Sequence, residues 1–203
     1  MKLKVCGMRL TENIEALAAL TPDYMGFIFW APSSRFVDGP TPGLSKNIKK
    51  TGVFVDASID YIETIIKEHL LQAVQLHGKE APEYCSYLQS LEVEVIKAFS
   101  IKDQFDFKIL TPYESSCDFY LFDTKGELPG GNGYGFDWQL LKEYPYQKPF
   151  FLSGGIGLKN IKAIRELEKI KLPLYAIDVN SAFESTPGVK KIDELTQFKN
   201  ELY

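Results

Sequence analysis

Residues 2–29 begin Lys2-Leu3-Lys4-Val5-Cys6-Gly7-Met8 and end Tyr24-Met25-Gly26-Phe27-Ile28-Phe29. In the first segment Leu3 and Val5 alternate with Lys4 and Cys6 at the two-residue period of a strand, so Cys6 falls at the strand's end and Gly7 opens a turn. The second segment is an unbroken apolar run, as expected of a strand covered on both faces of a parallel sheet. Between them Thr11 is placed to cap a helix carrying Ile14, Leu17 and Ala18 at helical spacing, and Thr21-Pro22-Asp23 ends it. Strand, helix and strand in so short a span make one unit of a parallel α/β sheet.

The same rhythm continues outward from this unit. A polar loop over 31–43, with Pro32, Ser33, Ser34 and Arg35, leads to a short, weakly patterned helix at 44–49 and a third strand at 52–55. Ser58 caps a helix striped by Ile62, Ile65, Ile66 and His69. A fourth strand over 73–76 runs into His77-Gly78, and Pro82 opens the next helix through Tyr84, Cys85 and Leu88. The fifth strand spans 93–99, after which Phe105, Phe107 and Ile109 suit either a strand or a helix. The sixth strand, 119–122, ends at Asp123. A loop containing Gly130-Gly131-Asn132-Gly133-Tyr134-Gly135 follows, and Phe136-Asp137-Trp138 starts a short helix. The seventh strand, 150–153, ends in Gly154-Gly155 and precedes a helix with Ile161, Ile164 and Leu167. The eighth, 174–179, runs into Asn180-Ser181-Ala182, and Ile192, Leu195, Phe198 and Leu202 stripe a last helix. Eight units in 203 residues predict a single-domain (β/α)8 TIM barrel over residues 1–203 rather than an open sheet of five or six strands.

Composition agrees with an ordinary globular protein: 45% of residues are apolar and 25% charged, and 14 Phe with 11 Tyr can fill a substantial core. With 23 basic and 27 acidic residues the net charge of -4 gives no general attraction to nucleic acid or an anionic membrane, so an anionic ligand must be held locally. Cys6, Cys85 and Cys117 are too few for a disulfide framework, which points to a reducing compartment. No signal core or membrane-length apolar run is evident, and the expected location is the cytoplasm. The sequence does not specify an oligomeric state, with a monomer slightly favoured.

In a parallel barrel the strand ends face one mouth, where the chemistry is done. Cys6 and Asp123 can therefore share a site, and a sugar isomerisation needs an acid and a base held on one substrate. Ordinary pKa values of about 8.5 and 3.9 leave thiol and carboxylate at neutrality, so each group needs its environment to shift it. A buried apolar cysteine and a loop-capping aspartate are the plainer alternatives. Gly154, Gly155, Ser181 and Ala182 place backbone N–H groups at the corner where barrels commonly bind phosphate. The Arg35 fork suits a carboxylate, against the alternative of a solvated loop charge. Gln75 and His77 end the fourth strand, His77 being a ligand, a proton shuttle or a structural histidine. Two histidines without metal-ligand spacing, and no phosphate or dinucleotide loop motif, lead us to expect neither metal nor cofactor.

Taken together, Lys4-Val5-Cys6-Gly7-Met8, Gly26-Phe27-Ile28-Phe29 with Ser34-Arg35-Phe36-Val37, Gly52-Val53-Phe54-Val55, Val74-Gln75-Leu76-His77-Gly78, Phe122-Asp123-Thr124, Gly130-Gly131-Asn132-Gly133 with Phe136-Asp137-Trp138, Ser153-Gly154-Gly155 and Asp178-Val179-Asn180-Ser181 with Glu184 and Pro187-Gly188 resemble the phosphoribosylanthranilate isomerase family. The resemblance implies a cofactor-free Amadori rearrangement of a phosphorylated sugar-anthranilate substrate in tryptophan biosynthesis. It implies that Asp123 is the acid, Cys6 the base, Arg35 the anthranilate carboxylate holder, and the amides near Gly154, Gly155, Ser181 and Ala182 the phosphate cradle. Asn132 and Asn180-Ser181-Ala182-Phe183 depart from the family pattern, and Ala182 would be strained if its loop needed a positive φ. The rival barrels are indole-3-glycerol phosphate synthase, which would want catalytic lysines at strand ends, where Lys4 lies too deep in its strand and Lys97 alone comes near, and a metal-dependent ribulose-phosphate epimerase. A non-enzymatic phosphosugar-binding protein is the rival from another class.

Overall fold

Alternation along the strands separates the buried side chains into two sets. In the computed structural model, which describes residues 1–102, 104–123 and 138–203, Tyr24, Ala73, Ile96, Ala98, Leu121, Phe151 and Ala176 pack together. A larger cluster includes Val5, Phe27, Phe54, Leu76, Phe122 and Leu152 with helix residues such as Ile14, Ile62, Leu88, Ile164 and Phe198. The first set fills the inside of a closed sheet and the second joins its outside to the helices, the two-core arrangement of a filled barrel.

The eight strands are β1 (Lys2–Val5), β2 (Tyr24–Ile28), β3 (Lys49–Phe54), β4 (Ala73–Leu76), β5 (Glu94–Ser100), β6 (Phe119–Asp123), β7 (Phe150–Ser153) and β8 (Leu174–Val179). They pair in parallel in sequence order, and β1 pairs with β8 to close the barrel, with Lys4 opposite Asp178. The helices are α1 (Thr11–Ala19), α2 (Ile59–His69), α3 (Pro82–Gln89), α4 (Ile161–Glu168) and α5 (Ile192–Leu202). At the N-terminal end of the barrel the Tyr24 hydroxyl donates to Glu94 at 2.9 Å, and Lys49 pairs with the same carboxylate. Among the described residues no helix is long and apolar enough to cross a membrane.

Several local expectations are revised. Thr11 is the first residue of α1 rather than its cap: Leu10 occupies the cap position without a side-chain hydrogen bond. Ser58 does cap α2, its hydroxyl accepting from the Tyr61 amide. Residues 44–49 form no helix: Lys49 already belongs to β3, and of the five residues left only Ile48 is buried, too little to seat a helical face. The ambiguous fifth unit is a 3-10 helix, Phe107–Tyr113, opened by Asp106, whose side chain accepts from the Lys108 amide. Trp138–Glu143 is also 3-10, while the expected glycine-rich loop with Asn132, and Phe136-Asp137, lie outside the described residues. A short hairpin not anticipated from the sequence, β9 (Glu184–Thr186) with β10 (Val189–Lys190), precedes α5.

Candidate active site

Cys6 follows β1 and Asp123 ends β6, and both line one cavity of about 140 Å³ at the C-terminal ends of the strands. The barrel ladder continues one residue past β1, because the Cys6 amide donates to the Val179 carbonyl at 2.9 Å. Gly7 then turns the chain with φ +77; a Cβ there would lie 2.6 Å from Asn180 Oδ1 and 2.7 Å from Arg35 Cδ. Gly26 on β2 leaves room for the sulfur itself, since a Cβ on it would sit 2.7 Å from Cys6 Sγ. Two glycines thus fix the place of one thiol.

Burial pushes the Cys6 thiol above its ordinary pKa, while the Lys4 and Lys190 ammonium groups partly oppose that shift. Lys4 is wholly buried and bonded to Asp178 Oδ2 at 2.8 Å. Burial acts against its charge, but Asp178 and Cys6 outweigh burial and hold Lys4 above the ordinary lysine range. The sulfur thus lies beside an ion pair whose ammonium favours the thiolate and whose carboxylate opposes it.

Asp123 has an imidazole beside it: His77 Nε2 lies 3.5 Å from Asp123 Oδ2. Gln75 Nε2 is 3.0 Å from His77 Nδ1. The imidazole is thus held between the Gln75 amide on one ring nitrogen and the Asp123 carboxylate on the other. The turn behind His77 is held by buried Glu80, which accepts from the Gly78 amide, from the Asp56 amide at 2.9 Å and from Lys97 Nζ at 2.9 Å. Lys97 lies between the inward-facing Ile96 and Ala98 and points away from the mouth, so the strand-five lysine of the synthase reading has a supporting place instead.

Arg35 is no solvated loop charge. Its Nε and Nη2 fork onto Glu184, with Nη2 to Oε2 at 2.6 Å, and Glu184 also accepts from Lys190 Nζ at 2.6 Å and the Gly188 amide at 3.1 Å. Burial alone would raise the Glu184 pKa, but Arg35 and Lys190 hold it below the ordinary glutamate range. One edge of the guanidinium is thus occupied, and among the described residues Nη1 makes no hydrogen bond. Lys190 reaches Asn180 Oδ1 at 2.7 Å as well, tying this group to the loop after β8.

Gly154, Gly155 and Ser181 stand on the cavity wall, whereas Ala182 lies outside it. Gly154 and Gly155 have φ of +113 and +67, which explains glycine at both. A Cβ on Gly155 would meet nothing within 4 Å, so backbone conformation rather than crowding selects it. The feared strain at Ala182 is absent: Ser181–Phe183 is a right-handed 3-10 turn, and Ala182 has no positive φ. Its Cβ packs instead toward Gly157, where an added Cβ would be 3.2 Å away.

The model of the N-(5'phosphoribosyl)anthranilate (PRA) isomerase family matches residues 3–201. The chain belongs to that family. It is 43% identical over 209 residues to the N-(5'-phosphoribosyl)anthranilate isomerase of Parabacteroides distasonis, spanning 100% of this chain and 93% of that protein. With the Campylobacter jejuni isomerase of strain 81116 it shares 37% over 208 residues, covering 100% and 98%. Among solved structures, the Thermotoga maritima isomerase superposes with a TM-score of 0.80 at 27% identity, covering 100% and 98% of the two chains. A phosphoribosyl anthranilate isomerase in complex with reduced 1-(o-carboxyphenylamino)-1-deoxyribulose 5-phosphate gives 0.81 at 26%, with the same coverage.

For this isomerase-family chain, sequence reasoning left three site residues undervalued. His77 and Gln75 share the parity of an inward-facing strand row, a signal that places both in the barrel mouth once the strand is assigned. Asp178 was noted only within a motif, yet it lines the cavity beside Cys6. Its parity with Asn180 across the end of the eighth strand would have shown it.

Proposed function

We propose that this chain isomerises N-(5'-phosphoribosyl)anthranilate to 1-(2-carboxyphenylamino)-1-deoxyribulose 5-phosphate, the Amadori step of tryptophan biosynthesis, in one barrel domain without a cofactor. The observation that carries this reading is the meeting of Cys6 and Asp123 on one small cavity in a chain of this family. Asp123, as the acid, gives its proton to the ring oxygen; the bond from that oxygen to C1 breaks, and the anilino nitrogen lone pair forms an iminium. The Cys6 thiolate then takes the proton from C2, and the electron pair forms the C1–C2 double bond as the iminium nitrogen regains its lone pair. The enolamine tautomerises to the ketone by gaining a proton at C1 and losing one from the C2 hydroxyl. Return of the proton from Cys6 to Asp123 resets the site.

Lys4 and Lys190 favour the thiolate that this step needs, against the burial that disfavours it. Glu184 holds Arg35 by one edge and leaves the other edge for the anthranilate carboxylate. Backbone N–H groups of Gly154, Gly155 and Ser181 supply the phosphate cradle, and His77 orients Asp123. Three unpaired cysteines agree with a cytoplasmic site of action.

The test is turnover of freshly made phosphoribosylanthranilate, followed as loss of anthranilate-type fluorescence, for wild type, Cys6→Ser and Asp123→Asn. We expect each substitution to lower kcat at least about 100-fold, the contribution of one positioned acid or base. Full turnover by both variants rejects the assigned roles, and no turnover by wild type rejects the activity in favour of a binding protein.

A further inference from the structure

The second unit of the barrel lacks its helix: residues 29–48 join β2 to β3 without one, and this connection and α2 enclose a cleft. Tyr61, Ile65 and Glu68, spaced i, i+4 and i+7 along α2, form one wall, and Phe36 to Pro40 form the other. The cleft measures about 500 Å³, within the range of small-molecule sites and larger than the cavity at the barrel mouth. The two share no wall residue.

Burial divides the cleft into a floor and a rim. Phe29, Val37, Ile65 and His69 are buried and make the floor, while Asp38, Pro40, Tyr61 and Glu68 are exposed and make the rim. The His69 ring lies 4.6 Å from that of Phe29, and its Nδ1 is 3.0 Å from the Thr41 hydroxyl. Its Nε2 makes no hydrogen bond among the described residues, yet it is not one of the unpaired atoms sealed from solvent, which are Thr51 Oγ1, Gln75 Oε1 and Asp178 Oδ1. That nitrogen therefore opens onto the cleft that the ring lines. Burial holds His69 below its ordinary pKa, with Lys50 acting the same way and Glu68 against, so the ring is neutral at pH 7.

The charges on the wall have one sign. Asp38 makes only a loose contact with Arg9, 4.0 Å between two exposed side chains, and Glu68 has no ion pair among the described residues. Lys50, whose charge acts on His69, is no part of the wall: it is buried on β3 and donates to the Pro42 carbonyl at 3.1 Å. A ligand cation is thus disfavoured at the floor and favoured at the rim, where Tyr61 supplies an aromatic ring as well. The aromatic and aliphatic floor suits an uncharged ring.

We propose that this cleft is a second ligand site, which takes a small arylalkylamine with its ring on the Phe29 and His69 floor and its ammonium at the Asp38 and Glu68 rim. The site is independent of the isomerase reading, since it uses none of the residues assigned to that reaction.

The test is a ligand-observed NMR titration of the full chain with 2-phenylethylammonium, its neutral counterpart 2-phenylethanol and the anion 3-phenylpropionate. Two surface carboxylates, each contributing about a fivefold preference, should make wild type bind the ammonium at least about 10-fold tighter than the alcohol, with the anion weakest. In the Asp38→Asn/Glu68→Gln double variant the ammonium and the alcohol should bind alike, and high salt should shrink the wild-type preference. Both substituted residues are exposed, and thermal unfolding of the variant checks that it is folded. Tyr61→Ala should weaken the ammonium and the alcohol together. Equal affinity of wild type for the three probes, a preference that survives in the double variant, unchanged binding by Tyr61→Ala, or no binding of the ammonium at millimolar concentration would each overturn the site.

Discussion

Replacing Gly26 by alanine should move the sulfur of Cys6 rather than unfold the barrel. The new Cβ would stand 2.7 Å from Cys6 Sγ, 3.0 Å from its Cα and 3.2 Å from its Cβ. Non-bonded atoms of this size prefer about 3.5–4.0 Å, so the side chain of Cys6 must yield by roughly 1 Å. Gly26 lies within β2 and has no positive φ, so alanine meets no backbone strain and the whole effect is steric. Overpacking of this kind costs about 1–3 kcal/mol of stability, and a 1 Å misplacement of a reacting group costs about 100-fold in rate. Steady-state fluorescence kinetics with thermal unfolding on the same preparation separate the two effects. The expected result is a roughly 100-fold fall in kcat with KM little changed, because the residues proposed to hold the phosphate and the carboxylate lie on other elements. Gly52→Ala is the control: its Cβ would meet Leu71 Cδ1 at 2.5 Å and Phe54 Cε2 at 2.7 Å, away from the thiol, and should lower stability without lowering kcat. Wild-type kcat in a folded Gly26→Ala variant would refute the placement of the reacting sulfur.

The Cys6 thiol is held above its ordinary pKa, so its thiolate should accumulate only as pH rises beyond the usual thiol value of about 8.5. The ultraviolet thiolate absorbance of wild type minus Cys6→Ser measures this in the free protein, and a midpoint near neutrality would contradict it. Glu184→Gln leaves the Lys190 and Arg35 cations without their counter-charge; it should lower the unfolding temperature and raise KM about tenfold or more with a smaller change in kcat, whereas unchanged KM would separate Arg35 from substrate binding. Lys97→Met strands the buried Glu80 carboxylate and should destabilise by about 3–5 kcal/mol, yet the folded fraction should turn over at near wild-type kcat. A folded but inactive Lys97→Met would revive a catalytic lysine.

Much of the barrel was legible locally. The two-residue alternation around Cys6, the apolar run from Tyr24, and the helical stripes of Ile62 and Ile164 each depend on neighbours a few residues away, and their repetition implies closure. The strand-end positions of Cys6 and Asp123 follow from the same patterns, as does the inward parity of Gln75 and His77. Elements lacking a clear period were not legible: residues 44–49 suggest a helix that does not form, Phe107–Tyr113 stays open between strand and helix, and nothing points to the β9–β10 hairpin.

What only the tertiary structure decided is which distant groups touch. Lys4 meets Asp178 across 174 positions and Arg35 meets Glu184 across 149, because closing the barrel brings the first two units against the last. That contact depends on the summed register of all eight strands, a quantity no local window contains. The sequence by itself therefore determined the scaffold and the end of it that reacts. Closure decided the ion pair beside the sulfur and the hold on the arginine fork, since each is a pair whose members meet only when the ring is complete.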